Sequence, residues 1–395
     1  MTQRPLRIAV IGAGIGGLTA AVALRQRGFE VAVHERAQQL GEIGAGLQMA
    51  PNAVKVLRAL GLEEPFRALG AEPSVRLSLN WNDGSVRLRE TMRGVMQQTY
   101  GARYCTVHRA DLHGLLLSRL APSSVRTGVA CVGAQTIGST AVARFADGSE
   151  LEADMVIGAD GIHSAVRNAL FGHIPAKFTN QVCWRMILPM AELGSLADRM
   201  PVPLDGSEYT GWLGPTGHVI FYPLRGGELL NIVAGYHSET WTEESWSVRS
   251  SVEELLAAYA GWNDGLRAVF ARAEETYKWG IYDREPLPRW VEGRVGLLGD
   301  AAHPMMPTLA QGAAISMEDG VALARHVAES GGDACAALAA YERERQPRAS
   351  RVQRQARDQF RNNLRVPAPP MLSVDWIYGH DAVTGRMTLA ETART

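Results

Sequence analysis

Cysteine is scarce in this chain, and the four that occur, Cys105, Cys131, Cys183 and Cys335, include neither a C-x-x-C pair nor metal-ligand spacing. This pattern indicates neither a disulfide framework nor a zinc site and disfavours a paired-thiol redox centre; no metal is expected, and a reducing cytoplasmic location fits. Long apolar runs are absent as well: none reaches the roughly 18 residues of a membrane span. The first apolar stretch, Ile8 to Ile11, runs straight into glycines without the length or cleavage pattern of a signal peptide. Charge of one sign is also missing. Forty basic against forty-one acidic side chains leave a net charge of -1, which gives no electrostatic footprint for nucleic acid. The expected partner is a small molecule, and the chain is expected to act as a monomer or homodimer. There is no internal repeat and no low-complexity tract.

What is present is a globular balance, 46% apolar and 21% charged, over 395 residues. That length suggests two domains, or one large domain with an insertion. Arg7 to Ile11 is a short β-rich run closed by Gly12, and Leu18 to Gln26 carries Leu and Ala at helical spacing up to Gly28. Glu30 to His34 supplies another strand, so the start reads as a parallel βαβ unit. Leu151 to Ile157 and Arg294 to Leu298 read as buried strands, each followed by a small-residue turn with an aspartate, Asp160 and Asp300. Both carboxylates then stand at carboxyl ends of strands, where open α/β sheets bind ligands.

The stretches 73–98 and 178–279 are β-rich, with runs such as Val75 to Trp81 and His218 to Tyr222. They read as two pieces of one inserted, mainly antiparallel β-sheet domain. The remainder, 1–72, 99–177 and 280–365, forms a Rossmann-like α/β domain with a parallel sheet and C-terminal helices. Met317 to Glu329 and Ala334 to Arg357 are helical, the second expected to break near Pro347. Pro367 to Pro370 marks a linker into a tail, 366–395.

Gly12-Ala13-Gly14-Ile15-Gly16-Gly17 satisfies G-x-G-x-x-G. Gly12 permits the tight turn, Gly14 lets backbone approach a pyrophosphate, and Gly17 lets helix and strand pack closely. The helix N-terminus presents free N–H groups to the phosphates. Glu35, at the end of the next strand, is placed to accept ribose hydroxyls, with Arg36 beside it. This motif alone does not separate FAD from NAD.

His108-Arg109-Ala110-Asp111-Leu112, Gly158-Ala159-Asp160-Gly161 running on to Arg167, and Gly299-Asp300-Ala301-Ala302-His303-Pro304 follow the glycine motif in that order. The ordered set closely resembles the single-component flavoprotein aromatic hydroxylases, from Ile8 to about Arg348. The resemblance implies bound FAD, NADH or NADPH as co-substrate, O2, and hydroxyl transfer from a flavin C4a-hydroperoxide. It further implies that Glu35 binds the adenosine ribose, Arg109 the phosphate and ribityl region, and Asp300 a ribityl hydroxyl. Asp160 belongs to a motif serving both FAD and nicotinamide. The run from Pro304 to Ala314 leads into a helix expected to begin near Ile315, whose Gly-Ala start leaves bare N–H groups for negative charge on a reduced flavin. Pro307, Gly312 and Ala313 are therefore expected to line the flavin ring, with Gln48, in Gly44-Ala45-Gly46-Leu47-Gln48, near it.

Gly217 to Leu224 is a strand whose alternation puts His218, Ile220 and Tyr222 on one face and Val219 and Phe221 on the other. A phenol reacts better with an electrophilic oxygen once deprotonated, and histidine suits that task. The segment resembles 3-hydroxybenzoate 6-hydroxylases, salicylate hydroxylases and, more loosely, 6-hydroxynicotinate 3-monooxygenases. That implies His218 as a base and Tyr222 as a substrate contact. Pro307 departs from the first of these groups, where a glutamine is expected, so the site of hydroxylation stays open. Arg185 and Arg225 are candidates for anchoring an acid substrate. The implied reaction is hydroxylation of a small phenolic or hydroxylated N-heteroaromatic acid, with or without carboxylate loss. The rivals are an epoxidase or bulky-substrate hydroxylase, an NAD-dependent dehydrogenase and a flavin-binding sensor.

Overall fold

The computed structural model describes residues 4–41, 45–202, 204–239, 241, 248–363, 365 and 369–389. Gly44, in the expected flavin-side loop, and 366–368 and 390–395 of the expected tail lie outside them. β1 (Arg7–Ile11), the helix Ile15–Gln26 and β2 (Glu30–His34) form the βαβ unit read from the sequence, with β1 and β2 parallel from Arg7↔Glu30 to Ile11↔His34. Ile8 to Ile11 are all buried, as parallel strands covered on both faces are. β3 (Gly46–Met49), β4 (Val75–Asn80), β5 (Val86–Thr91) and β6 (Cys105–His108) follow, and β3 pairs with β6.

β7 (Val125–Arg126) lies at one edge of the first sheet, whereas β8 (Cys131–Ile137), β9 (Thr140–Phe145) and β10 (Glu150–Ala153) make a separate antiparallel sheet. β11 (Met155–Gly158) returns to the first sheet beside β1. The run Leu151 to Ile157, expected as one strand, is thus two strands in different sheets. The corner is Asp154, whose carboxylate accepts from the Arg7 N–H at 2.7 Å and from the Arg4 guanidinium at 2.8 Å. A carboxylate inside an apolar run turns the chain because these donors sit beside it.

β12 (Lys177–Pro189), β13 (Glu208–Gly214), β14 (Gly217–Leu224), β15 (Leu229–His237), β16 (Val248–Ser250) and β17 (Thr276–Asp283) join β4 and β5 in an eight-stranded sheet. Its order is β16-β17-β12-β15-β14-β13-β4-β5, antiparallel except where β13 meets β4. Alternation splits this sheet into two faces. Trp184, Val219, Phe221, Ile232 and Ala234 pack into a core with the helices Val252–Ala258 and Asp264–Phe270. The opposite face looks toward the first sheet, which β18 (Val291–Glu292) and β19 (Val295–Leu297) complete in the order β18-β19-β11-β1-β2-β7.

The helix Gly312–Glu329 begins three residues before Ile315, and the helix Ala334–Asn363 runs unbroken through Pro347. The expected break is absent. A proline deletes one helical N–H and crowds the preceding turn, but side chains on both sides tie this helix down. The Arg345 guanidinium pairs with Glu318 and Asp319, each at 2.8 Å, and Arg348 pairs with Glu318 at 2.7 Å. The Arg345, Glu318 and Asp319 side chains are fully buried, so these tertiary partners hold the helix in place on either side of Pro347. The described part of the tail packs back: Lys55 Nζ donates to the Tyr378 and Gly379 carbonyls at 3.2 and 2.9 Å.

Candidate active site

One cavity of about 1020 Å³ lies between the first sheet and the free face of the eight-stranded sheet. It is lined by Gly14, Gly17, Arg36, Gln48, Arg109, Asp160, Asp300, Pro307, Gly312 and Ala313 from the nucleotide side, and by His218 and Tyr222 from the sheet. Gly12 and Glu35 stand just behind that lining. The residues expected to hold a cofactor or to act on the substrate are therefore gathered around one space, and Arg225 is not among its lining.

At the nucleotide end the backbone does the shaping. Gly12 has φ +106, and a Cβ there would overlap the Ala159 carbonyl, while one at Gly17 would overlap the Gly12 carbonyl oxygen. Strand and helix approach this closely only without side chains. Gly14 and Gly312 differ, since a Cβ at either meets nothing within 4 Å. They face the cavity, so their backbone N–H groups are open to a ligand. Two helix N-termini, of Ile15–Gln26 and Gly312–Glu329, aim at the same space. That is the donor set a dinucleotide with an anionic flavin edge requires.

Carboxylates complete it. Glu35 accepts from the Ala13 N–H at 2.8 Å and the Ala37 N–H at 2.9 Å, one bond per oxygen, which leaves acceptor capacity on each for a hydroxyl. Asp160 accepts from the Ala165 N–H at 2.8 Å and the Ser164 hydroxyl at 2.5 Å, so it caps the following helix while bordering the cavity. Asp300 opens onto the cavity but is otherwise walled by protein; desolvation raises its pKa, opposed by His303 and Arg109. The residues fit FAD: glycine-made clearance, two helix ends and strand-end carboxylates occur in the right order around one elongated space.

The helix Gly312–Glu329 is fixed from behind. Asp319 pairs with His303 at 2.5 Å, and Asn52 donates to Gln311 and Glu318 at 2.9 and 2.7 Å. Glu318 is driven far below the ordinary carboxylate range by Arg348 and Arg345 despite its burial. Asn52, Glu318 and Asp319 were not evident from sequence, because their partners lie on different elements.

Register shapes the reacting end. Across the sheet, Arg185 pairs with Val233 and Val233 with Ile220, while Cys183 pairs with Gly235 and Gly235 with His218. Tyr222 stacks on Tyr209 with centroids 6.2 Å apart, and Gln48 accepts from the Tyr104 hydroxyl at 2.5 Å in the same group. Two glycines make room for the two predicted side chains. A Cβ at Gly235 would overlap the His218 ring, and one at Gly46 would strike Tyr222 and Asn231. Asn231 in turn accepts from the Gly46 N–H at 2.8 Å, tying β3 to the sheet. Burial lowers the His218 pKa to about 4, so its imidazole is neutral near pH 7. Burial also raises the Tyr222 hydroxyl above its ordinary range, keeping it protonated.

The two arginine candidates separate. Arg225 points out and pairs with Asp111 at 2.8 Å, so it is no anchor inside the cavity. Arg185 lines the cavity with its guanidinium 4.5 Å from the Trp279 ring centroid.

Comparison with known proteins shows the family. The FAD binding domain family model matches residues 6–356. The chain is 38% identical over 394 residues to a 3-amino-4-hydroxybenzoate 2-monooxygenase of Streptomyces platensis, covering 96% of this chain and 97% of that one. It is 38% identical over 383 residues to the 6-hydroxynicotinate 3-monooxygenase of Pseudomonas fluorescens, with 96% of each covered. A salicylate hydroxylase substrate complex superposes with a TM-score of 0.83 at 26% identity, covering 96% and 97%. The chain belongs to the FAD binding domain family, within its FAD-dependent aromatic monooxygenases. Among the described residues no helix is long and apolar enough to cross a membrane.

Proposed function

We propose that this enzyme hydroxylates a small phenolic or hydroxylated N-heteroaromatic carboxylic acid, with His218 as the base that activates the ring. The observation that carries the reading is the continuity of one cavity from the glycine-lined nucleotide end to His218 and Tyr222. The printed activities of the relatives, on hydroxylated benzoates and a hydroxynicotinate, support that substrate class. FAD would be held by Gly12, Gly14, Gly17, Glu35, Arg36, Arg109, Asp160 and Asp300, with Gln48, Pro307, Gly312 and Ala313 beside its ring. Once bound and reduced by NADH or NADPH, it supplies oxygen activation.

The chain's own residues do the rest. His218, neutral because buried, accepts the proton of the ring hydroxyl, which raises electron density at the carbon to be hydroxylated. Tyr222, kept protonated, donates a hydrogen bond. Val233, Ile220 and Gly235 form an apolar floor that excludes water. The helix start at Gly312 stabilises negative charge at the facing edge of the cofactor. The segments 73–98 and 178–279 form the substrate-binding part in this reading, and 1–72, 99–177 and 280–365 the FAD-binding part. Four free cysteines and a nicotinamide co-substrate suit the cytoplasm, and a monomer or homodimer suffices because one chain lines the whole described cavity.

The test is product formed per NAD(P)H consumed over a panel of hydroxybenzoates and hydroxynicotinates. One acid should give close to one hydroxylated product per nicotinamide. His218→Ala should slow hydroxylation while FAD is retained; equal loss of both would make the residue structural.

A further inference from the structure

We propose that Arg185 anchors the substrate carboxylate and thereby selects acids whose ring hydroxyl lies para to the carboxylate over those in which it lies ortho. This rests on the reading above, that the substrate is a hydroxylated aromatic acid. Arg185 stands on β12, the strand between β17 and β15, on the face that lines the cavity. Its Nε is buried without a hydrogen-bond partner. By contrast, Arg76, another cation of this end of the cavity, is paired with Glu90. A guanidinium stacked on a ring keeps its in-plane N–H donors for a planar carboxylate.

Sheet register sets how far the anchor is from the base. Arg185 pairs with Val233, and Val233 with Ile220, which stands midway between His218 and Tyr222. Strands are about 4.8 Å apart, so two strand spacings, about 10 Å, separate Arg185 from Ile220. The guanidinium also leans away from β14, over Trp279 of β17. Cation and imidazole therefore occupy opposite ends of the apolar floor made by Val233, Ile220 and Gly235. An aromatic ring laid on this floor can give its carboxylate to Arg185 and its hydroxyl to His218 only if the two groups project from opposite ends of the ring. In an ortho acid they leave adjacent ring atoms and bond to each other, so one polar end of the cavity goes unserved.

The experiment uses the FAD-loaded full-length protein, with 4-hydroxybenzoate, its pyridine counterpart, salicylate and 4-hydroxybenzamide as probes. Affinity is read from the change in the bound flavin's visible spectrum. The unsubstituted protein should prefer the para acids over both salicylate and the amide. Arg185→Gln should weaken the para acids by at least about 30-fold, as loss of one partner of a buried charge pair does. The amide should bind as before, and FAD content should not change. Arg185→Lys, which keeps the charge but not the fork, should retain part of the acid preference. Equal weakening of acid and amide in Arg185→Gln, or salicylate binding as well as 4-hydroxybenzoate, overturns the assignment. A flavin spectrum that responds to none of the probes overturns the acid reading itself, and the assignment with it.

Discussion

The nucleotide end and the reacting end of this cavity are built by different means. At the first, backbone makes the site: glycines leave clearance, two helix ends supply N–H groups, and carboxylates follow directly after strands. At the second, residues from four neighbouring strands come together because register places Arg185, Val233, Ile220 and Gly211 in one row across the sheet. A site made of backbone is local in sequence. A site made of register draws its residues from strands far apart in sequence, and the proposed substrate contacts are of this kind.

The comparison breaks most severely at Gly17. Gly17→Val drives a branched side chain into the Gly12 carbonyl, and with the tight turn lost we expect destabilisation above about 4 kcal/mol. Purification should yield little folded protein and no bound FAD; a yellow, stable Gly17→Val protein would contradict the backbone-made account. His218→Ala should instead spare the fold and FAD content while lowering the hydroxylation rate by about 10²–10⁴-fold, the contribution expected of a general base.

The pH profile sharpens the same point. Because burial lowers the His218 pKa to about 4, the free enzyme should keep its base unprotonated across neutral pH, and kcat/KM should fall only as pH drops toward that value. The sign for stability agrees. An unfolded chain takes up the proton near pH 6.5 and the folded one only near pH 4, so stability contributed by the neutral ring is full above 6.5 and is lost as pH falls between the two. An activity loss centred near 6.5 would place the ring in water. A smaller effect is expected at Gly235→Ala, whose methyl overlaps the His218 ring: overpacking of about 1–3 kcal/mol, with slower hydroxylation and unchanged FAD affinity. The smallest is Arg225→Ala, which removes a surface pair with Asp111 worth below about 1 kcal/mol and should leave the substrate preference intact.

What was legible in the sequence follows the same division. The βαβ start, the strand-end aspartates and the two faces of β14 rest on short-range pattern, and each is found in the fold, whereas the helix expected near Ile315 starts three residues earlier at Gly312. Arg185 and Arg225 were indistinguishable, because only a neighbouring strand and a facing helix reveal that one is stacked over Trp279 and the other paired with Asp111. The split at Asp154 and the unbroken helix through Pro347 were misread for one reason. Partners distant in sequence, Arg4 in the first case and Glu318 and Asp319 in the second, override the local rule.

The central claim is that flavin and acid share one cavity. It is tested most directly by titrating a para-hydroxylated aromatic acid into the purified, FAD-loaded protein while following the flavin band and NAD(P)H oxidation together. A shifted flavin spectrum, faster oxidation and stoichiometric hydroxylated product are predicted. A protein that binds no FAD, or one whose oxidation of NAD(P)H yields only peroxide with every acid, would contradict it.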